Sequence, residues 1–180
     1  MSKAVVITGS PKKTSRLNGP VDYVIADLEL KGCDVSHVVV ADLPAEDLLY
    51  ANFTSDAIIQ ATQLVKDADV VVVATQVYKA SYTGVLKCFL DLVPERGLAG
   101  KKVLPLAMGG TTAHLLMLEF ALKPVLSVLG ANAIDQGVFI QDKQVVRAAD
   151  NSFVLGEDCK QRLDQAVEDL LEGVTIEQVV

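Results

Sequence analysis

"DVVVVAT", residues 69–75, sets an aspartate before four consecutive valines and carries no alternation of apolar with polar residues. β-Branched side chains in so short a run favour a strand. A strand apolar at every position is covered on both faces, the situation of a central strand in a parallel sheet. Working outward, similar runs occupy residues 4–8, 35–40, 103–107 and 133–140. Segments of helical period lie between and after them, at about 20–30, 55–66, 84–93, 112–129 and 157–171. Pro20 suits a first helical turn, Gly32 a helix exit and Ser55 an N-cap. Strands and helices thus alternate along the chain, with no repeat, low-complexity tract or linker, so residues 1–180 read as one α/β domain.

Composition narrows the partners. The chain has 180 residues, is 51% hydrophobic and carries a formal net charge of −7. That suffices for one substantial core and argues against nucleic acid, which is bound by neutralising phosphates with lysine and arginine. Mean hydropathy is +0.36, yet no apolar run approaches the length of about 20 residues that spans a bilayer. The first apolar stretch runs directly into glycine and proline, unlike a signal peptide. A cytoplasmic protein without a membrane partner is expected. Cys33, Cys88 and Cys159 are far apart and match no metal-ligand spacing, so reduced thiols and no metal site are expected.

Alternating strands and helices predict a parallel sheet with right-handed crossovers and helices on both faces. The two common orders, of the Rossmann and flavodoxin types, both seat ligands at the carboxyl ends of the strands. The loops there read "GSPKKTS" (9–15), "QVYKASYTG" (76–84) and "GGTTAH" (109–114). In the first, Gly9 permits a close turn, Ser10, Thr14 and Ser15 offer hydroxyls, and Lys12, Lys13 and Arg16 add charge ahead of a helix. Such a turn is a phosphate seat. It has neither the Walker A order nor GxGxxG, and an ordinary strand-to-helix turn with solvated basic residues is the alternative. Tyr78, Lys79 and Tyr82 in the second loop suit a flat conjugated ring, or simply cover the sheet edge. Gly109, Gly110 and Thr111 allow close backbone approach and bring N–H donors able to meet negative charge on a ring that is being reduced. His114 is read as a packed residue. No GxSxG, HExxH or nucleophile–base pair stands near these loops.

The segment 112–129 is apolar on nearly every side, so it is expected to meet both its own sheet and another copy of the chain, giving a dimer or tetramer. Pro124 cannot donate to the carbonyl of Phe120 and crowds it. The helix therefore has to kink or widen near Phe120, and a π-bulge is one form of widening, common at functional sites.

"GSPKKTSR" (9–16), "EDLLYANF" (46–53), residues 77–116 from "VYKASYTG" to "GGTTAHLL", and "ALKPVLSVLGA" (121–131) together resemble the NAD(P)H-dependent FMN reductases of the flavodoxin-like superfamily, especially the alkanesulfonate-utilisation FMN reductases. The resemblance runs from the first strand through the fourth helix and fades after about Ile140. It implies a flavodoxin-like three-layer sandwich around a five-stranded parallel sheet of order 2-1-3-4-5. It implies hydride transfer from NADPH or NADH to FMN, with reduced flavin handed to a partner monooxygenase of sulfonate type. Ser10, Lys12, Ser15 and Arg16 would hold the phosphate. Val77, Tyr78 and Lys79 would run along the ring, with Gly109, Gly110 and Thr111 nearby. No catalytic side chain is implied, and Phe120 is a switch position for flavin or oligomer. Tetramers with paired fourth helices are usual in the family. Two departures stand out: Leu17, Asn18, Gly19 and Pro20 replace serines common after the arginine, and Phe120 replaces a tyrosine. Other readings are a reductase with fixed FMN acting on quinones, azo dyes or metal ions, and a flavodoxin-type electron carrier.

Overall fold

The computed structural model describes residues 2–174. A parallel sheet forms from β1 (Lys3–Gly9), β2 (Asp34–Val39), β3 (Val70–Gln76) and β4 (Lys102–Gly109), with β5 (Ala133–Ile134) and β6 (Val138–Gln141) sharing the lane beyond β4. The order is β2-β1-β3-β4, then β5 with β6, which is the flavodoxin-like order 2-1-3-4-5. The valines of β3 sit at its centre, each fully buried. They divide by alternation: Val71 and Val73 enter a core beneath α3 (Asp56–Asp67), α4 (Gly84–Leu90) and α5 (Lys123–Val128), while Val70 and Val72 enter the core beneath α1 (Asn18–Leu30) and α6 (Glu157–Leu171). Each valine so buried contributes roughly 1.5–3 kcal/mol. The unbroken apolar run is what two opposite cores demand of one strand.

The expected fifth strand, 133–140, is split. Pairing of β4 runs through Val103↔Ile134, lapses, and resumes at Leu106↔Val138. The gap falls opposite Pro105, which has no N–H to give the ladder. Gly137 closes the detour at φ +85°, where a Cβ would lie 2.7 Å from the Pro105 carbonyl oxygen.

The expected helix 112–129 is also interrupted. It comprises a 3₁₀ turn at Thr112–His114, a π-helical turn at Leu118–Leu122 containing Phe120, and α5 with Pro124 in its first turn. Widening, rather than a simple kink, accommodates Pro124. Helix α4 is shorter than expected. Ser55 stands at the N-cap of α3 but donates its hydroxyl to Asp47 Oδ2 at 2.5 Å instead of capping. Two unanticipated pieces are α2 (Ala45–Leu49) and an antiparallel hairpin of β7 (Val145–Arg147) and β8 (Phe153–Leu155). Helices α1 and α6 are tied by Tyr23, whose hydroxyl donates to Asp164 Oδ1 at 2.8 Å; that bond, with some burial, pushes the phenol up to about 12. No helix among the described residues is long and apolar enough to cross a membrane.

Gly9, at the end of β1, has a steric reason of its own: an added Cβ would stand 2.5 Å from Leu86 Cβ on α4. Gly9→Ala is expected to lower the unfolding free energy by about 1–3 kcal/mol through overpacking. Urea denaturation measures this, and adding Leu86→Ala should remove most of the alanine's cost, a coupling that independent sites do not show.

Candidate active site

The carboxyl ends of β1, β3 and β4 lie side by side, with Gly9 in register with Thr75 and Gln76 with Met108. The three loops singled out from the sequence therefore leave one edge together. Side chains from the end of β3 and the start of α4 fasten them. The buried Thr83 hydroxyl donates to the Gly9 carbonyl in a short hydrogen bond and accepts from the Leu86 amide at 3.2 Å, capping α4. Thr75 Oγ1 accepts from the Thr83 amide at 3.2 Å. Gln76 Nε2 donates to Ser15 Oγ at 2.6 Å, and its Oε1 lies 3.3 Å from Ser10 Oγ. Val77 N donates to the Met108 carbonyl at 2.8 Å, joining the second loop to β4.

This assembly changes what the serines do. Ser10 and Ser15 are 2% and 4% exposed. Ser10 Oγ donates to the Lys12 carbonyl and accepts from the Lys12 amide, while Ser15 Oγ also accepts from the Leu17 amide at the head of α1. Their hydroxyls build the loop. What the loop leaves free is main chain: the amides of Lys13, Thr14, Ser15 and Arg16 donate to no protein group among the described residues. Four successive free N–H groups ahead of a helix make an anion-binding concavity. Lys12 and Arg16 are exposed beside it, and Lys13 is paired with Asp42.

In the second loop Tyr78 and Ser81 exchange backbone hydrogen bonds of 2.9 and 3.1 Å across a two-residue turn. Lys79 and Ala80 both have positive φ, 51° and 63°. Asparagine and glycine ordinarily fill such a turn, and the left-handed conformation costs other residues about 1–2 kcal/mol each. The turn is held strained, with Tyr78 44% exposed above it. Tyr82 is half-buried, and burial raises its phenol. Val77 abuts Gly109, where an added Cβ would lie 3.2 Å from Val77 Cγ2. Gly110 and Thr111 are exposed; Thr111 Oγ1 accepts from the Ala113 amide at 3.3 Å, and the amides of Thr111 and Thr112 have no protein acceptor among the described residues. His114 is half-buried in the 3₁₀ turn, and Phe120 is 77% exposed.

Together these groups make a shelf at the carboxyl edge of the sheet, on which Tyr78, Gly110 and Thr111 are exposed. Beneath the first loop lies a cleft of about 160 Å³ reached by Thr8, Lys12, Asp22 and His37. Thr8 Oγ1 and His37 Nε2 share a hydrogen bond of 2.8 Å, and burial pulls the imidazole below its ordinary range against the opposing charges of Asp22 and Asp42. Larger depressions lie elsewhere, one of about 590 Å³ over residues 46–54. Among the described residues no group of His, Cys, Asp or Glu side chains is placed to hold a metal ion.

Residues 2–145 match the model of a family described as NADPH-dependent FMN reductase. The chain belongs to that family. Among its relatives, an FMN reductase (NADPH) of Escherichia coli K12 is 48% identical over 144 residues, 80% of this chain and 75% of the relative. An NADH-dependent FMN reductase, SfnF, of Pseudomonas putida is 33% identical over 76% of both chains. The apo crystal structure of an NADH:FMN oxidoreductase, EMOB, superimposes with a TM-score of 0.88 at 33% identity, over 98% of this FMN reductase and 92% of that chain. FMN couples a phosphate dianion to a planar ring, and the residues present fit both parts: free amides with flanking cations for the first, an exposed aromatic turn against a glycine for the second.

Gln76, Thr75 and Thr83 escaped the sequence reading. Gln76→Leu is expected to leave the sheet intact and to strip Ser15 of its shortest partner. The cost should be about 1–3 kcal/mol in urea denaturation, with faster hydrogen exchange at amides 12–17. Unchanged exchange there would show that the loop keeps its shape without the bridge.

Proposed function

We propose that this FMN reductase binds FMN reversibly on the shelf, with the phosphate on the amides of residues 13–16 flanked by Lys12 and Arg16, and delivers reduced flavin to a separate monooxygenase. The observation that carries this reading is the run of four unpaired amides at the end of β1, beside the exposed residues Tyr78, Gly110 and Thr111. Ser10 and Ser15 take part as the loop's internal braces. Val77, Tyr78 and Lys79 line one side of the ring, and Gly109, Gly110 and Thr111 approach it from β4. When bound, FMN supplies the hydride acceptor for NADPH or NADH. The chain's own contribution is positional and electrostatic: it seats a dianion, keeps one ring face open to the nicotinamide, and offers the Thr111 and Thr112 amides to developing negative charge.

The sulfonate-type monooxygenase as recipient follows from the resemblance of the loops and of residues 77–116 to alkanesulfonate-utilisation reductases. The proposed assembly is a dimer or tetramer through the segment 112–129. Leu115, Leu116, Phe120 and Val128 support it, being 48%, 58%, 77% and 81% exposed within one short stretch. Phe120 offers an exposed apolar ring for that contact.

Mixing the protein with NADPH or NADH and excess FMN, and following the nicotinamide absorbance, tests the activity and the mode of flavin use. Consumption of dinucleotide that saturates with free FMN is the expected result. A rate independent of added FMN would assign a fixed flavin, and no consumption with either dinucleotide would reduce the chain to an electron carrier.

A further inference from the structure

The hairpin β7–β8 lies almost wholly beyond the family match, which ends at Val145. It reaches the first loop. Arg147 Nη2 donates to the Thr14 carbonyl at 2.6 Å, and the guanidinium lies 5.0 Å from the centroid of the Phe153 ring, which holds it by a cation–π contact. The hairpin is seated by α1: a Cβ on Gly19 would lie 2.7 Å from Phe153 Cβ and 3.1 Å from Val145 Cγ1. A second donor acts on the preceding peptide, where Asn18 Nδ2 donates to the Lys13 carbonyl at 2.7 Å.

We infer that Arg147 and Asn18 are positioning residues for the phosphate of FMN, acting through the peptide planes of the first loop. In a trans peptide the C=O and the following N–H point in opposite directions, and no cis bond occurs among the described residues. Holding the Lys13 and Thr14 carbonyls on outside donors therefore fixes the directions of the Thr14 and Ser15 amides. Those are two of the four that remain unpaired. It also engages two carbonyl dipoles that would otherwise be free to swing toward the anion. Arg147 also adds a positive charge next to the seat.

The inference rests on the reading of residues 13–16 as the phosphate seat, and riboflavin, which has the ring without the phosphate, separates the two. Binding of FMN and of riboflavin to the apoprotein is followed by quenching of flavin fluorescence. The wild type should prefer FMN; equal affinity for both would defeat the seat itself. Arg147→Ala should weaken FMN binding about tenfold and leave riboflavin unchanged, with faster hydrogen exchange at the Thr14 and Ser15 amides in the apoprotein. Arg147→Lys should recover only part of the loss, because an ammonium keeps the charge and loses the planar fork. Asn18→Ala should act in the same direction as Arg147→Ala. Preserved FMN preference in Arg147→Ala, or an equal loss for both flavins, would overturn the positioning role while leaving the seat in place.

Discussion

The site rests on how β3 is tied to its neighbours at the carboxyl edge. Thr83 is buried; its hydroxyl donates to the Gly9 carbonyl at the end of β1 while capping α4, and its amide donates to Thr75 Oγ1 on β3. Gln76 extends the tie to both serines of the first loop. Buried polar groups left without partners cost about 1–3 kcal/mol each, so the bonds restrain one another. The loops are thereby fastened to one another, and what the first of them leaves free is the run of amides at residues 13–16.

The two-sided core supplies the other half of that rigidity. Because β1 and β3 feed alternate side chains into opposite clusters, neither strand can slip by one residue without exchanging the contents of two cores. Strain placed at the edge is consequently retained. The positive φ values of Lys79 and Ala80 persist because the preceding strand is paired on both sides, Val77 is bonded to Met108, and Tyr78 and Ser81 close the turn. Residues held in such conformations concentrate at functional sites, and this turn carries Tyr78 to the exposed rim.

Much of this was legible in the sequence because its causes are local. Four valines in a row have one physical explanation in a chain of alternating strands and helices, and Pro124 four residues beyond Phe120 forces a helical fault, though not its form. The split of the fifth strand was half legible: Pro105 is visible, but its consequence appears on a different strand. Gln76 was not legible, since a glutamine at a strand end has no local signature and its partner Ser15 lies 61 residues away. Ser10 and Ser15 show the converse limit. Their place in the loop was evident, but whether a hydroxyl faces a ligand or the loop itself depends on what the next strand brings.

On the proposed seating of FMN an acidic chain has to hold a doubly charged anion, and the loop's construction meets that electrostatic problem locally. The net charge of −7 is spread over the surface, and at physiological ionic strength its field is screened over about 8 Å. Affinity is then decided by groups in contact. Lys13 is partly neutralised by Asp42, which leaves Lys12 and Arg16 as flexible, solvated charges whose immobilisation carries an entropic cost. Amides held in place by Gln76, Asn18 and Arg147 have already met that cost on folding. On the proposed seating, such a preorganised row of weak dipoles with few free cations selects for the geometry of a phosphate more than for its charge.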